Sequence, residues 1–191
     1  MNIIGLIGYK GSGKDEVCKI IQKHDSSWEN KKFAGKLKQI ATLLTGIDDW
    51  EDRSKRNDII ETLGMTRRSF LQKLGTEAVR DNIHADVWVN ALFADYKILT
   101  IYHPGYVPPV PPSEYWPNWI ITDCRFPNEA EIIKEKGGII VEVHRFDDNK
   151  DLHPSETALD NWEADYSIDN TGDLDNLNKE VEKFMHTYSL L

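Results

Sequence analysis

The stretch Gly8-Tyr9-Lys10-Gly11-Ser12-Gly13-Lys14-Asp15 decides the fold. An apolar run, Ile3-Ile4-Gly5-Leu6-Ile7, precedes it, and Val17, Ile20 and Ile21 follow at helical spacing. The reading is strand, glycine-rich turn, helix. The spacing G-x-x-x-x-G-K is that of a phosphate-binding P-loop. Such a loop wraps backbone N–H groups around polyphosphate oxygens, here with residues Lys10, Gly11, Ser12, Gly13, Lys14 and Asp15. The helix N-terminus behind it adds partial positive charge. Lys14 is placed to reach the β- and γ-phosphates as a point charge.

Asp15 stands where the pattern usually has Ser or Thr, whose hydroxyl binds Mg²⁺. A carboxylate ligates Mg²⁺ directly or through water, but it also brings negative charge close to the phosphates. The plainer reading is a glycine-rich turn with an N-capping acid. Position favours the nucleotide site, because the match follows an N-terminal strand and opens an amphipathic helix.

The chain has 191 residues, of which 40% are hydrophobic and 29% charged. That suits one globular domain with an inserted lid or subdomain. No apolar run approaches the roughly 20 residues of a membrane span, and the N-terminus lacks the basic start of a signal peptide. Cys18 and Cys124 sit in apolar segments and read as buried thiols of a reducing cytoplasm, the host's if the gene is viral. No Cys/His spacing suggests zinc. The net charge of −9 argues against general nucleic-acid binding. It is uneven: residues 10–80 carry +4 and the remainder −13. A local basic surplus of this kind suits two small anions, although a merely uneven solvated surface has the same count.

Along the chain, residues 2–7 read as a buried parallel strand and about 14–24 as a helix. Residues 30–34 suggest a second short strand, with Gly35 releasing a helical stripe of Leu37, Ile40, Ala41, Leu43 and Leu44. Lys36 and Lys38 fall just past that strand, where open α/β sheets bind ligands; on a helix face they are otherwise simply solvated. Residues 46–58 read as a mobile loop or exposed helix. Residues 58–63 read as helical, and a further helix runs from near Thr66 to near Gly75. Another opens at Thr76, and 86–93 is helical with an apolar face. Ile98–Tyr102 looks like a strand. The proline-rich stretch after it excludes a central strand and fits an extended loop or protruding hairpin.

Trp119-Ile120-Ile121-Thr122-Asp123 is an apolar run ending in an acid, the Walker B arrangement, which positions Mg²⁺ or its waters. Arg125 follows. A helix with Pro127 in its first turn ends at Gly137-Gly138, then comes the strand 139–143 with Arg145 just beyond. The block 119–143 is one βαβ unit and requires a parallel sheet. Residues 146–160 read as a short lid, 166–170 as a last strand, and Leu174, Leu177, Val181, Phe184 and Met185 as a closing helix.

These stretches, with Phe33-Ala34-Gly35-Lys36-Leu37-Lys38, the run 71–81, Trp88, the run 121–130, His153-Pro154-Ser155-Glu156 and the run 168–174, resemble the phage-type deoxynucleoside monophosphate kinases. The family's loop also ends in G-K-D, so Asp15 is no defect by that comparison. The proline-rich stretch has no counterpart in it, and residues 46–65 match only loosely. The resemblance implies a P-loop NTPase-type α/β three-layer sandwich with a parallel sheet. It implies a single kinase domain over 1–191, with an inserted helical acceptor-binding region at about 35–93 and a lid at about 146–160. It also implies transfer of the γ-phosphoryl group of ATP to a deoxynucleoside monophosphate with Mg²⁺, for DNA precursor synthesis.

Under that reading Lys14, Asp15, Asp123, Arg125 and Arg145 carry the chemistry, and Asp15 and Asp123 organise the metal. The donor site adds Asn170 and Gly172 to the loop residues. Lys38, Arg68, Glu77, Arg80, Trp88 and Arg125 hold the acceptor. Guanidinium forks suit phosphate oxygens, but each arginine also fits a surface salt bridge. Trp88 fits either stacking on a base or a place in the core. His153 belongs to the lid region without a catalytic part. The partners are then small molecules, with neither nucleic acid nor membrane, and a homodimer is compatible with the sequence. Two other readings share the loop and Asp123: a kinase for a different phosphorylated acceptor, of the dephospho-coenzyme A or phosphomevalonate kind, and a non-catalytic nucleotide switch. The dispersed arginines count against the switch, which needs no second anion site.

Overall fold

The computed structural model describes residues 2–105, 110–145 and 158–190. The chain forms two compact units, one from Met1–Lys31 with Asp95–Leu191 and the other from Lys32–Ala94. The first unit opens with β1 (Ile3–Ile7), α1 (Lys14–His24) and β2 (Trp28–Lys31). The second holds α2 (Phe33–Thr45), a 3-10 turn (Arg53–Asn57), β3 (Ile59–Ile60), β4 (Met65–Thr66), α3 (Arg67–Gln72), a π-helix (Lys73–Arg80) and α4 (Val87–Phe93). The first unit resumes with β5 (Leu99–Ile101), β6 (Ser113–Tyr115), β7 (Asn118–Ile121), α5 (Pro127–Glu135), β8 (Ile139–His144), β9 (Tyr166–Asp169) and α6 (Leu174–Thr187).

The strand β1 is buried along its whole length. A strand with no solvent-facing side chain belongs inside a parallel sheet, and β1 is the middle of five, in the order β2-β7-β1-β8-β9. Every pairing is parallel. The register sets Ile4 beside both Ile120 and Ile139. On that face Ile4, Leu6, Ile120, Val141, Val143 and Ile168 meet Val17, Ile20 and Ile21 of α1 and Leu177, Val181 and Phe184 of α6. The opposite face packs on α5: a Cβ on Gly5 would lie 2.7 Å from Ile133 Cδ1, so glycine lets that helix approach. The first unit is thus the expected three-layer α/β sandwich. A one-residue slip of β8 would turn Val141 and Val143 out of the core, which fixes the register.

Several local expectations are corrected. The second strand is Trp28–Lys31 rather than 30–34; Lys32 is the extended N-cap of α2, and Gly35 lies in its first turn. Residues 58–63 are not helical. They enter the β3–β4 hairpin, because Ile60 buries against Ala41 and Trp50 while Ile59 points outward, an alternation of period two. Gly75 ends no helix. The turn widens at Lys73 into the π-helix, with Gly75 buried inside it. The proline-rich region does form a hairpin: β5 and β6 pair antiparallel as a separate two-stranded ribbon. The lid segment at 146–157, with His153, lies outside the described residues; residues 158–161 form a turn.

Candidate active site

The chain leaves β1 at Ile7 and turns through glycines at positive φ, including Gly8 (φ 127°) and Gly13 (φ 103°). Both positions are also sterically closed. A Cβ on Gly8 would lie 2.4 Å from the Val143 carbonyl oxygen, and one on Gly13 would lie 2.3 Å from Asn170 Nδ2. Gly13 is the N-cap of α1 and caps it with no side chain. The N-terminus of α1 thus faces the loop, where the helix dipole favours an anion. Lys14 folds back into the same loop. Its Nζ donates to the Gly8 carbonyl and, at 2.9 Å, to the Tyr9 carbonyl.

Asn170, expected in the donor site, braces the P-loop through its side chain. It is buried, its Nδ2 donates to the Ser12 carbonyl at 2.7 Å, and its backbone N–H donates to the His144 carbonyl. Gly172 packs against Asn176 in the turn before α6. Gly13→Ala is expected to destabilise the chain by about 2–4 kcal/mol, from the strained φ and the displaced Asn170 bond. Urea denaturation of the two proteins checks it.

The pairing of β1 with β7 ends at Gly5↔Ile121, and Asp123 lies in the turn just past the carboxyl end of β7, the strand beside β1. The Cys124 thiol reports the charges there. Burial pushes its pKa well above the usual range, Glu129 and Asp123 push it further, and Lys14 opposes them. The P-loop and Asp123 follow adjacent parallel strands, β1 and β7. Asp15 lies in the first turn of α1, where the helix dipole favours an acid. Arg125 is exposed in the turn after Asp123, and Arg145 is exposed past β8. Among the described residues no group of three or more His, Cys, Asp or Glu forms a metal cage.

Sequence reasoning gave Glu129 no role. It is 2% exposed, and its Oε2 accepts from the backbone N–H of Arg125 at 2.8 Å and of Phe126 at 3.2 Å. It pins the turn that carries Asp123 and Arg125. The signal was available: an acid at the third position of a helix begun by Pro127.

In the second unit, Lys38 pairs with Glu51 at 2.6 Å. Arg68 is exposed on α3, whereas its neighbour Arg67 lies over the Trp50 ring and pairs with Asp49. Hydrogen bonds from Lys55 first and then Arg67 hold the Asp49 carboxyl below its ordinary range. Glu77 meets Lys73 at 3.6 Å, and Arg80 ends the π-helix. Trp88 is buried, and its indole N–H donates to the Gly75 carbonyl at 2.8 Å. It therefore offers no open face for stacking; it fixes the π-helix on which Glu77 and Arg80 sit.

A parallel α/β sheet with a P-loop after its central strand and a carboxylate past the end of the next strand is the arrangement of a P-loop nucleotide-binding protein. Residues 46–181, well over half the chain, match the deoxynucleotide monophosphate kinase family. A protein of Acanthamoeba polyphaga mimivirus named for that activity is 30% identical over 171 residues, covering 83% of this chain and 82% of its own. The chain belongs to the deoxynucleotide monophosphate kinase family and is a kinase. Solved structures similar in chain course include the shikimate kinase of Aquifex aeolicus, at TM-score 0.49 and 13% identity over 98% of each chain. Another is the dephospho-CoA kinase of Campylobacter jejuni, at 0.46 and 12% over 97% of this chain and 96% of that one. The family match begins after the P-loop, so the loop's part rests on its own geometry.

Proposed function

We propose that the chain transfers the γ-phosphoryl group of ATP to the 5′-phosphate of a deoxynucleoside monophosphate, giving the diphosphate for DNA precursor supply. The observation that carries this is the convergence of the Lys14 loop and Asp123 on adjacent ends of parallel strands. An acceptor phosphate oxygen attacks the γ-phosphorus, and the bond to the β–γ bridging oxygen breaks. Such transfer needs positioning and charge neutralisation more than covalent chemistry. The loop N–H groups and Lys14 hold the donor, with Lys10 at the loop's exposed crest beside the transferring group. Asp15 and Asp123 would hold Mg²⁺, which neutralises charge on the β- and γ-phosphates.

Arg125 and Arg145 supply cations at the strand ends, and Lys38, Arg68 and Arg80 receive the acceptor phosphate. Glu77 binds the sugar or holds an arginine, and Trp88 acts through the shape of the π-helix. Cys18 and Cys124 are buried thiols. No helix among the described residues is long and apolar enough to cross a membrane.

ADP release coupled to an optical readout, with Mg²⁺ and each common dNMP and NMP in turn, tests the reading. A rate that depends on particular dNMPs is expected. ATP binding without any acceptor-dependent rate would overturn the reading and turn attention to other phosphorylated acceptors.

A further inference from the structure

The P-loop pattern places no demand on its second residue, yet Tyr9 makes hydrogen bonds through both its backbone and its side chain. Its carbonyl accepts from Lys14 Nζ at 2.9 Å and from the Ser12 N–H at 3.1 Å. Its hydroxyl donates to Asp160 Oδ1 at 2.8 Å, across 151 residues of sequence. Asp160 lies in the turn at 158–161, well outside the motif. One residue thus ties the ammonium of the loop, the loop's own turn and a distant acid together.

We propose that Tyr9 is a positioning residue of the donor site, with Asp160 as its anchor. The inference deepens the kinase reading and rests on it for the identity of the donor. When phosphates enter, Lys14 must leave the Gly8 and Tyr9 carbonyls and turn to them. Without its anchor the crest of the loop is free to move with Lys14, and the N–H cradle loses its preset shape. A site shaped before binding loses less conformational freedom when it binds. The Tyr9–Asp160 bond therefore acts on ATP affinity rather than on the chemical step. The bond is charge-assisted, and Tyr9 keeps its proton to higher pH than a free tyrosine, chiefly because that hydrogen bond holds it.

The test uses Tyr9→Phe, Asp160→Ala, the double variant and Asp160→Asn, which keeps Oδ1 as acceptor. ATP affinity is titrated calorimetrically without acceptor, and KM for ATP, KM for the dNMP, kcat and Tm are measured beside it. Tyr9→Phe and Asp160→Ala are each expected to weaken ATP binding and raise its KM by about 3–10-fold, the worth of one good hydrogen bond. The double variant should be no worse than either single, since both remove the same bond. Asp160→Asn should stay within about two-fold of the parent, and kcat, the dNMP KM and Tm should hold. Additive effects, an unchanged ATP affinity, or a loss shared equally with the dNMP KM and Tm would overturn the proposal. The ATP titration needs no acceptor, so the absence of any dNMP-dependent rate in the parent would refute the kinase reading alone.

Discussion

Lys14→Met is expected to lower kcat/KM for ATP by about 10²–10³-fold, the loss typical of removing one preorganised group that meets developing charge. Methionine keeps a stem of similar length and deletes only the ammonium. In the structure that ammonium rests on the Gly8 and Tyr9 carbonyls. It is therefore already inside the cradle and needs only to exchange carbonyl for phosphate oxygens. The exchange gains most where phosphoryl charge is greatest, so kcat should fall more than KM rises. Arginine should not rescue the loss. A planar fork does not reproduce a compact charge seated between two neighbouring carbonyls. The fold should survive, at a cost of about 1–3 kcal/mol, because the lost bonds are part-buried but local to the loop. Steady-state kinetics with a urea titration decides it. A raised KM with kcat intact would make Lys14 a ground-state binder only, and an unchanged kcat/KM would remove the loop from the site.

Much of this was legible because its causes are local. β1 and α1 announce themselves by an apolar run, three positive-φ glycines and helical spacing. α5 is read from Pro127 at one end and Gly137 at the other. What escaped was set by contacts made elsewhere. The π-helix follows from Leu37 packing against Gly75 and from Trp88 donating to the Gly75 carbonyl; neither partner is near in sequence. The same bond turns Trp88 from a candidate base platform into a strut. Arg67 and Arg68 are indistinguishable on paper, but adjacent helix positions face different ways, and only Arg67 reaches Asp49 and Trp50. The resemblance puts Asn170 in the donor site, but its bond to the Ser12 carbonyl, 158 residues away in sequence, has no local signal. The Tyr9–Asp160 pair has no sequence signature at all.

Glu129→Ala is expected to be the most damaging single change outside the loop. The carboxylate is 2% exposed, and one oxygen serves two consecutive backbone donors, Arg125 and Phe126. Alanine leaves both N–H groups without that acceptor, at about 1–3 kcal/mol each if they stay dry. Water entering the vacated space would bring the total towards about 2–4 kcal/mol. Glutamine keeps an acceptor oxygen and loses only the charge, so it should cost about 1 kcal/mol. The consequence for function follows from what the turn carries. Asp123 and Arg125 sit on it, so Glu129→Ala should lower kcat well beyond what the stability loss explains, and Glu129→Gln should recover most of it. Urea unfolding and kcat at 25 °C, measured on both variants, separate the two effects. If Glu129→Gln were more stable than the parent, the desolvation of the charge would outweigh its hydrogen bonds. If Glu129→Ala kept its kcat, the turn would hold its shape without Glu129, and the placement of Arg125 would have to come from its own side-chain contacts.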